Sequence, residues 1–283
     1  MTAPCRFFLL LAVLIACAWP FPSAAWSERT TRYVAWSAVE FFPPDLANQV
    51  RRHHHRYDAG MQRAFSGNPA WRAGHPGKLA EALNATALRC ATDLRKPVPL
   101  GDLVEGLGEL AVRILDANDP LAVAHDDPRE DRYAAAYSQY VDSVLPRVRL
   151  VYYGRSFDAA QPNVLDALVS RTLDRSRGLY PYVGAEFFRT GSLRSWRAFD
   201  DRSVAFGVAG VALSRGLTDV ASLASWVWAR GGGLIPEPLP TPTGHSGPTV
   251  VLAPRLGGGF EGVRKHNRGA PAIPGGRLAL PPP

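Results

Sequence analysis

GELAVRILDANDPLAVAHDD, residues 108–127, is the stretch from which the fold is read. Together with the residues before it, it places Leu103, Leu107, Leu110, Ile114 and Leu115 at the three-to-four-residue spacing of one buried helix face. A helix is therefore predicted over 103–117. Asp119-Pro120 ends it, because proline has no N–H to continue the ladder. Asp116, Asp119, Asp126 and Asp127, with His125, gather at that end and raise the question of a cation or catalytic site.

Outward from this helix the same periodicity recurs. Residues 32–42 carry Tyr33, Val34, Trp36, Ala38, Val39 and Phe41, and Pro43-Pro44 stops the run. Residues 45–65 read as one helix with Asp45 as N-cap, ending at Gly67. Residues 78–95 put Leu79, Ala82, Leu83, Ala87 and Cys90 on one stripe. A long alanine- and tyrosine-rich helix is predicted over 128–151, bent at Pro146. Residues 164–179 follow, then LYPYVGAEFF, residues 179–188, which reads as a loop or a helix start. Residues 203–230 are apolar on several faces, which marks a central helix. No strand-rich alternation or internal repeat appears, so the expected class is all-α, one multi-helix domain over residues 26–235.

Both ends of the chain differ in character from this body. Residues 7–16, FFLLLAVLIA, follow Arg6 and have the length of a signal-peptide core rather than of a membrane span. Small residues at Ser23 and Ala25 predict cleavage after Ala25, which leaves Trp26 first and the protein exported, periplasmic or secreted. The alternative is a lipoprotein: Leu14, Ile15, Ala16 and Cys17 fit a signal in which Cys17 is acylated and anchors the chain to a membrane. No other run is expected to be apolar for long enough to cross a bilayer. Residues 236–283 are crowded with proline and glycine, the composition of a disordered tail. Of three cysteines, Cys5 and Cys17 fall in the signal region, and Cys90 reads as a buried apolar side chain.

The formal charge of +7 is carried mostly by arginine, lysine occurring only at Lys78, Lys96 and Lys265. That balance is compatible with a phosphate-bearing or anionic lipid ligand. No basic run exceeds Arg51-Arg52, however, and no nucleic-acid motif accompanies the charge.

A tryptophan at the mature N-terminus, the helix over 103–117, the D-A-N-D-P-L turn and the tyrosine-rich helix after it resemble the zinc-dependent phospholipase C family. The secreted single-strand-specific zinc nucleases share its helical fold. The resemblance implies a cluster of three zinc ions held by the tryptophan amine and carbonyl, histidines, two aspartates and a glutamate, with a zinc-bound water attacking a phosphoester. Carried over, it places Trp26, Asp58, His75 and Asp116 at ligand positions. It also places Thr31, Val112 and Ala122 where the family has histidines, and Ala134 and Ser138 where it has a histidine and a glutamate. Zinc takes nitrogen, thiolate or carboxylate donors at roughly 2.0 to 2.3 Å, and methyl groups supply none. Hydroxyls are neutral and weak substitutes.

Other residues admit ordinary readings. His53, His54 and His55 point about 100° apart on a helix and cannot share one ion. The acids of residues 116–127 lack the spacing and turn glycine of a calcium loop, and Asp126 or Asp127 before Pro128 suits an N-cap. FDDRS, residues 199–203, reads as a helix start capped by Asp201 rather than a nucleophile elbow. The leading expectation is an exported helical protein with a degenerate metal site, no resident cofactor, and a binding or structural role. The alternative is a metal-dependent phosphodiesterase or phospholipase that uses zinc on a reduced set, Asp58, His75, Asp116 and His125.

Overall fold

The computed structural model describes residues 26–67, 76–155, 163–235 and the backbone of 249–251. The expected signal segment with Cys17, residues 68–75 with His75, and most of the 236–283 tail lie outside the described residues.

Helices form where apolar periodicity and caps agree. The described helices are α1 Glu28–Ala38, α2 Pro44–Arg52, α3 His54–Ser66, α4 Pro76–Asp93, α5 Leu100–Ala117, α6 Pro120–Val123, α7 Ala134–Val144, α8 Val164–Phe187 and α9 Val204–Arg230. Two three-residue strands, β1 Leu150–Tyr152 and β2 Thr249–Val251, pair antiparallel. The fold is all-α apart from this ribbon. One continuous hydrophobic core runs from Trp26 to Val227.

α5 is the axis of the fold. From Leu103 to Ala117 every residue except Arg113 is buried. α3 crosses it at two glycines: a Cβ on Gly60 would overlap the Glu105 carbonyl, and one on Gly108 the Tyr57 carbonyl. Backbone thus lies against backbone, a distance only glycine permits. α4 and α9 pack on other faces of α5, and α9 also meets α1, α8 and β1. α9 is capped by Ser203, whose hydroxyl accepts the Phe206 N–H at 3.2 Å. By length and composition it is apolar enough to cross a membrane, contrary to the expectation from sequence, but 67% of the relevant window is buried inside the body. Its length and burial are those of a core helix.

Several predicted boundaries change. The helix expected over 45–65 is two, broken at His53, whose φ of −105° and ψ of 33° leave the helical region. Asp45 lies in the first turn, after Pro43 and Pro44, and is not the N-cap. The long helix expected over 128–151 is a turn, a 3₁₀ turn at Glu130–Arg132, helix α7, a second 3₁₀ turn at Leu145–Arg147 and strand β1. Pro146 has no N–H to give the ladder, so the α-helix stops at Val144 instead of bending. Residues 179–187 are helical: α8 continues through Pro181 because Tyr180, Val183, Gly184 and Phe187 are all buried on that turn. Tertiary packing outweighs the proline there.

Candidate functional site

The end of α5 holds the acids that the sequence singles out. Asp116 is buried, and its carbonyl accepts the Asp119 N–H at 3.1 Å. Asp119, fully buried, caps α6 by accepting the Leu121 N–H at 2.8 Å. Between them Asn118 donates to the Ile114 carbonyl at 2.9 Å and to Asp219 of α9 at 3.1 Å. The same Asp219 oxygen accepts the Thr172 hydroxyl at 2.9 Å and Arg175 of α8 at 2.7 Å. A buried carboxylate is stable only when paired and hydrogen-bonded. Here donors from α8 and the end of α5 meet that need, so the node joins α5, α8 and α9.

The positions that the resemblance sets against metal ligands sit on elements packed against one another: α1 on α5 and α7, and α5 on α6. Thr31, Val112, Ala122 and Ala134 are all buried, and Ser138 is half-buried. One turn beyond Ser138, Asp142 accepts the Ser27 hydroxyl and the Thr30 hydroxyl, the latter at 2.6 Å. A negative charge at the first turn of α1 is favoured by the helix dipole. Between these elements the Tyr137 phenol is pushed well above its ordinary value by burial and then by the charge of Asp119. Its oxygen, like the Trp26 indole nitrogen, is buried with no hydrogen-bond partner. A layer of methyls and neutral groups stands where the resemblance calls for donors.

Asp58 is engaged elsewhere. It accepts Arg32 at 3.0 Å and the Trp36 indole at 3.0 Å, tying α3 to α1. Its neighbours Tyr57 and Gly60 abut α5 at Gly108 and Glu105. Asp116 lies eight residues beyond Gly108, about 12 Å along the axis at 1.5 Å per residue. Trp26 is buried, and His75 lies outside the described residues. Among the described residues no group of three or more His, Cys, Asp or Glu side chains is placed to hold an ion. Valine, alanine and an arginine-paired aspartate do not fit a three-zinc cluster.

His125 belongs to a different cluster. Its Nδ1 lies 2.8 Å from Glu130, whose other oxygen accepts the Tyr180 hydroxyl at 2.6 Å. Tyr180 in turn accepts the Asp127 N–H at 2.9 Å, and burial pushes its phenol up to about 12. Asp127 accepts the Arg129 side chain and N–H at 2.9 Å, and that hydrogen bond holds its carboxyl below the usual range. It closes a turn and does not cap a helix, as the sequence had suggested; Asp126 is exposed. His53 is half-buried at the α2–α3 break, while His54 and His55 are exposed. Ser203, not Asp201, caps α9; Asp201 pairs with Arg147. Cys90 is buried as expected, and burial pushes its thiol up to about 11.

Sequence reasoning passed over Asp142, Asp219, Glu105 and Glu109. The two glutamates had a signal, since they stand four apart among the apolar residues of Leu103–Val112. Asp219 had a weaker one, as a single acid inside α9. A scan against protein-family models and a search of curated proteins both return no match.

Proposed function

We propose that this chain is an exported helical protein of the phospholipase C-like type whose metal site has been lost, and that it acts by binding or as a structural module. The observation that supports this reading is that Thr31, Val112, Ala122 and Ala134, which the resemblance sets at ligand positions, are buried residues on elements that pack on one another. The engagement of Asp58 by Arg32 and Trp36 supports it, as does that of His125 by Glu130. These interactions use up groups that a reduced hydrolytic site would need. The positive charge makes a phosphate-bearing or anionic lipid surface the natural class of ligand.

Hydrolysis is the direct test. Purified full chain is mixed with a chromogenic phosphodiester and with phosphatidylcholine vesicles, each with zinc, manganese or calcium supplied. The expected rate equals the blank in every case. Hydrolysis that a chelator abolishes overturns the proposal in favour of the reduced site.

A further inference from the structure

β1 is a three-residue strand in a helical body, and its two edges are satisfied differently. On the inner edge the Val151 N–H donates to the Ser214 hydroxyl and the Tyr153 N–H to the Thr218 hydroxyl, each at 3.1 Å. Both hydroxyls belong to α9. Four residues of helix rise about 6 Å and two residues of strand about 6.6 Å, so the pairs match in spacing. The Phe41 ring stacks on Tyr152 with centroids 4.1 Å apart, which fixes the strand from a second side. The body therefore holds β1 extended by contacts that do not involve β2.

Strand alternation turns the backbone groups of Leu150 and Tyr152 to the outer edge. Leu150 is fully buried, and buried backbone groups demand partners. β2 supplies them, with Leu150 opposite Val251, Val151 opposite Val250 and Tyr152 opposite Thr249. Because Val151 and Tyr153 donate inward, the hydrogen-bonded pairs are Leu150 with Val251 and Tyr152 with Thr249.

We infer that the outer edge of β1 is a strand-docking site for an extended, uncharged, β-branched peptide, and that its resident occupant is the chain's own segment Thr249–Val251. Main-chain pairing supplies the affinity, as in other strand-addition sites. Three paired residues make a short ladder. The segment stays docked because it belongs to the same chain, which makes its pairing intramolecular.

The test uses the full chain, its V251P and V250P variants, and a fluorescent peptide with the sequence of residues 246–253, read by anisotropy. Proline at Val251 removes a donor to β1, whereas the Val250 N–H points away from it. The peptide is expected to bind V251P at least about tenfold more tightly than the unaltered chain, since the tethered competitor is gone. V250P should stay close to the unaltered chain. Far-UV circular dichroism should be the same for all three. No binding to V251P, or equal affinity for the three proteins, overturns the inference. A dimer of the unaltered chain that V251P dissolves would put a second copy's tail in the slot and overturn the cis arrangement.

Discussion

The two ends of α5 balance buried carboxylates in opposite ways. Near its start Glu105 is met by Arg56 and Arg63, and at its middle Glu109 by Arg89 and by Arg113 of α5 itself. Three of these four arginines keep between 39% and 62% of their side chains in solvent. Near its end Asp219 is met from inside, by Asn118, Thr172 and Arg175 on packed helices. The first arrangement can adapt when one partner is lost. The second is less able to, because Asn118 and Thr172 are buried and only Arg175, with 30% of its side chain exposed, reaches solvent.

Breaking the packing that both ends depend on should have the largest effect. Gly60→Val puts a side chain into the Glu105 carbonyl, and the expected loss is roughly 4 kcal/mol in urea unfolding, among the severe single-residue effects. A loss under about 1 kcal/mol would mean that α3 and α5 do not meet there. Next in size is Asp219→Ala, which leaves Arg175 and Asn118 without their shared acceptor and should lose about 3 kcal/mol. Glu109→Gln, where the Arg89 partner is half-exposed, should lose only about 1 to 2 kcal/mol. Equal losses at the two ends would remove the distinction between them.

Alkali tests the buried phenols and thiol. The Cys90 thiol is raised by burial from its ordinary 9.0 to about 11, and the phenols of Tyr33 and Tyr180 from 10.0 to about 12. In that interval the unfolded chain has released protons that the folded chain still holds. Stability is therefore full below about 9 and falls as pH climbs toward about 12. Denaturant midpoints that stay level across that range would contradict the burial of these groups. The smallest change is expected at Asp58→Asn, where the half-exposed pair with Arg32 contributes about 1 kcal/mol or less. The Trp36 emission should shift as its indole loses a charged acceptor.

Much of the fold is legible in the sequence because it rests on apolar spacing and proline. The runs around Leu83, Leu110 and Leu165 are helices, and Asp119-Pro120 ends α5. Features set by distant contacts are not legible. Nothing local at His53 marks a break, and the passage of α8 through Pro181 depends on the burial of Tyr180 and Phe187. β1 is invisible because three residues show no alternation and its stability comes from Ser214 and Thr218, more than sixty positions away. At the candidate site the residue types were legible but their partners were not. The pairing of Asp58 with Arg32 and Trp36, and of Asp142 with the first turn of α1, follows only from how α1 lies against α3 and α7.

The proposal that the helices around the end of α5 hold no metal has a direct test. Elemental analysis of the purified full chain, dialysed after exposure to zinc, tests it most directly. The account predicts well under one zinc per chain, unchanged in Asp116→Ala. Two or three tightly held zinc ions per chain, lost in Asp116→Ala, would contradict it.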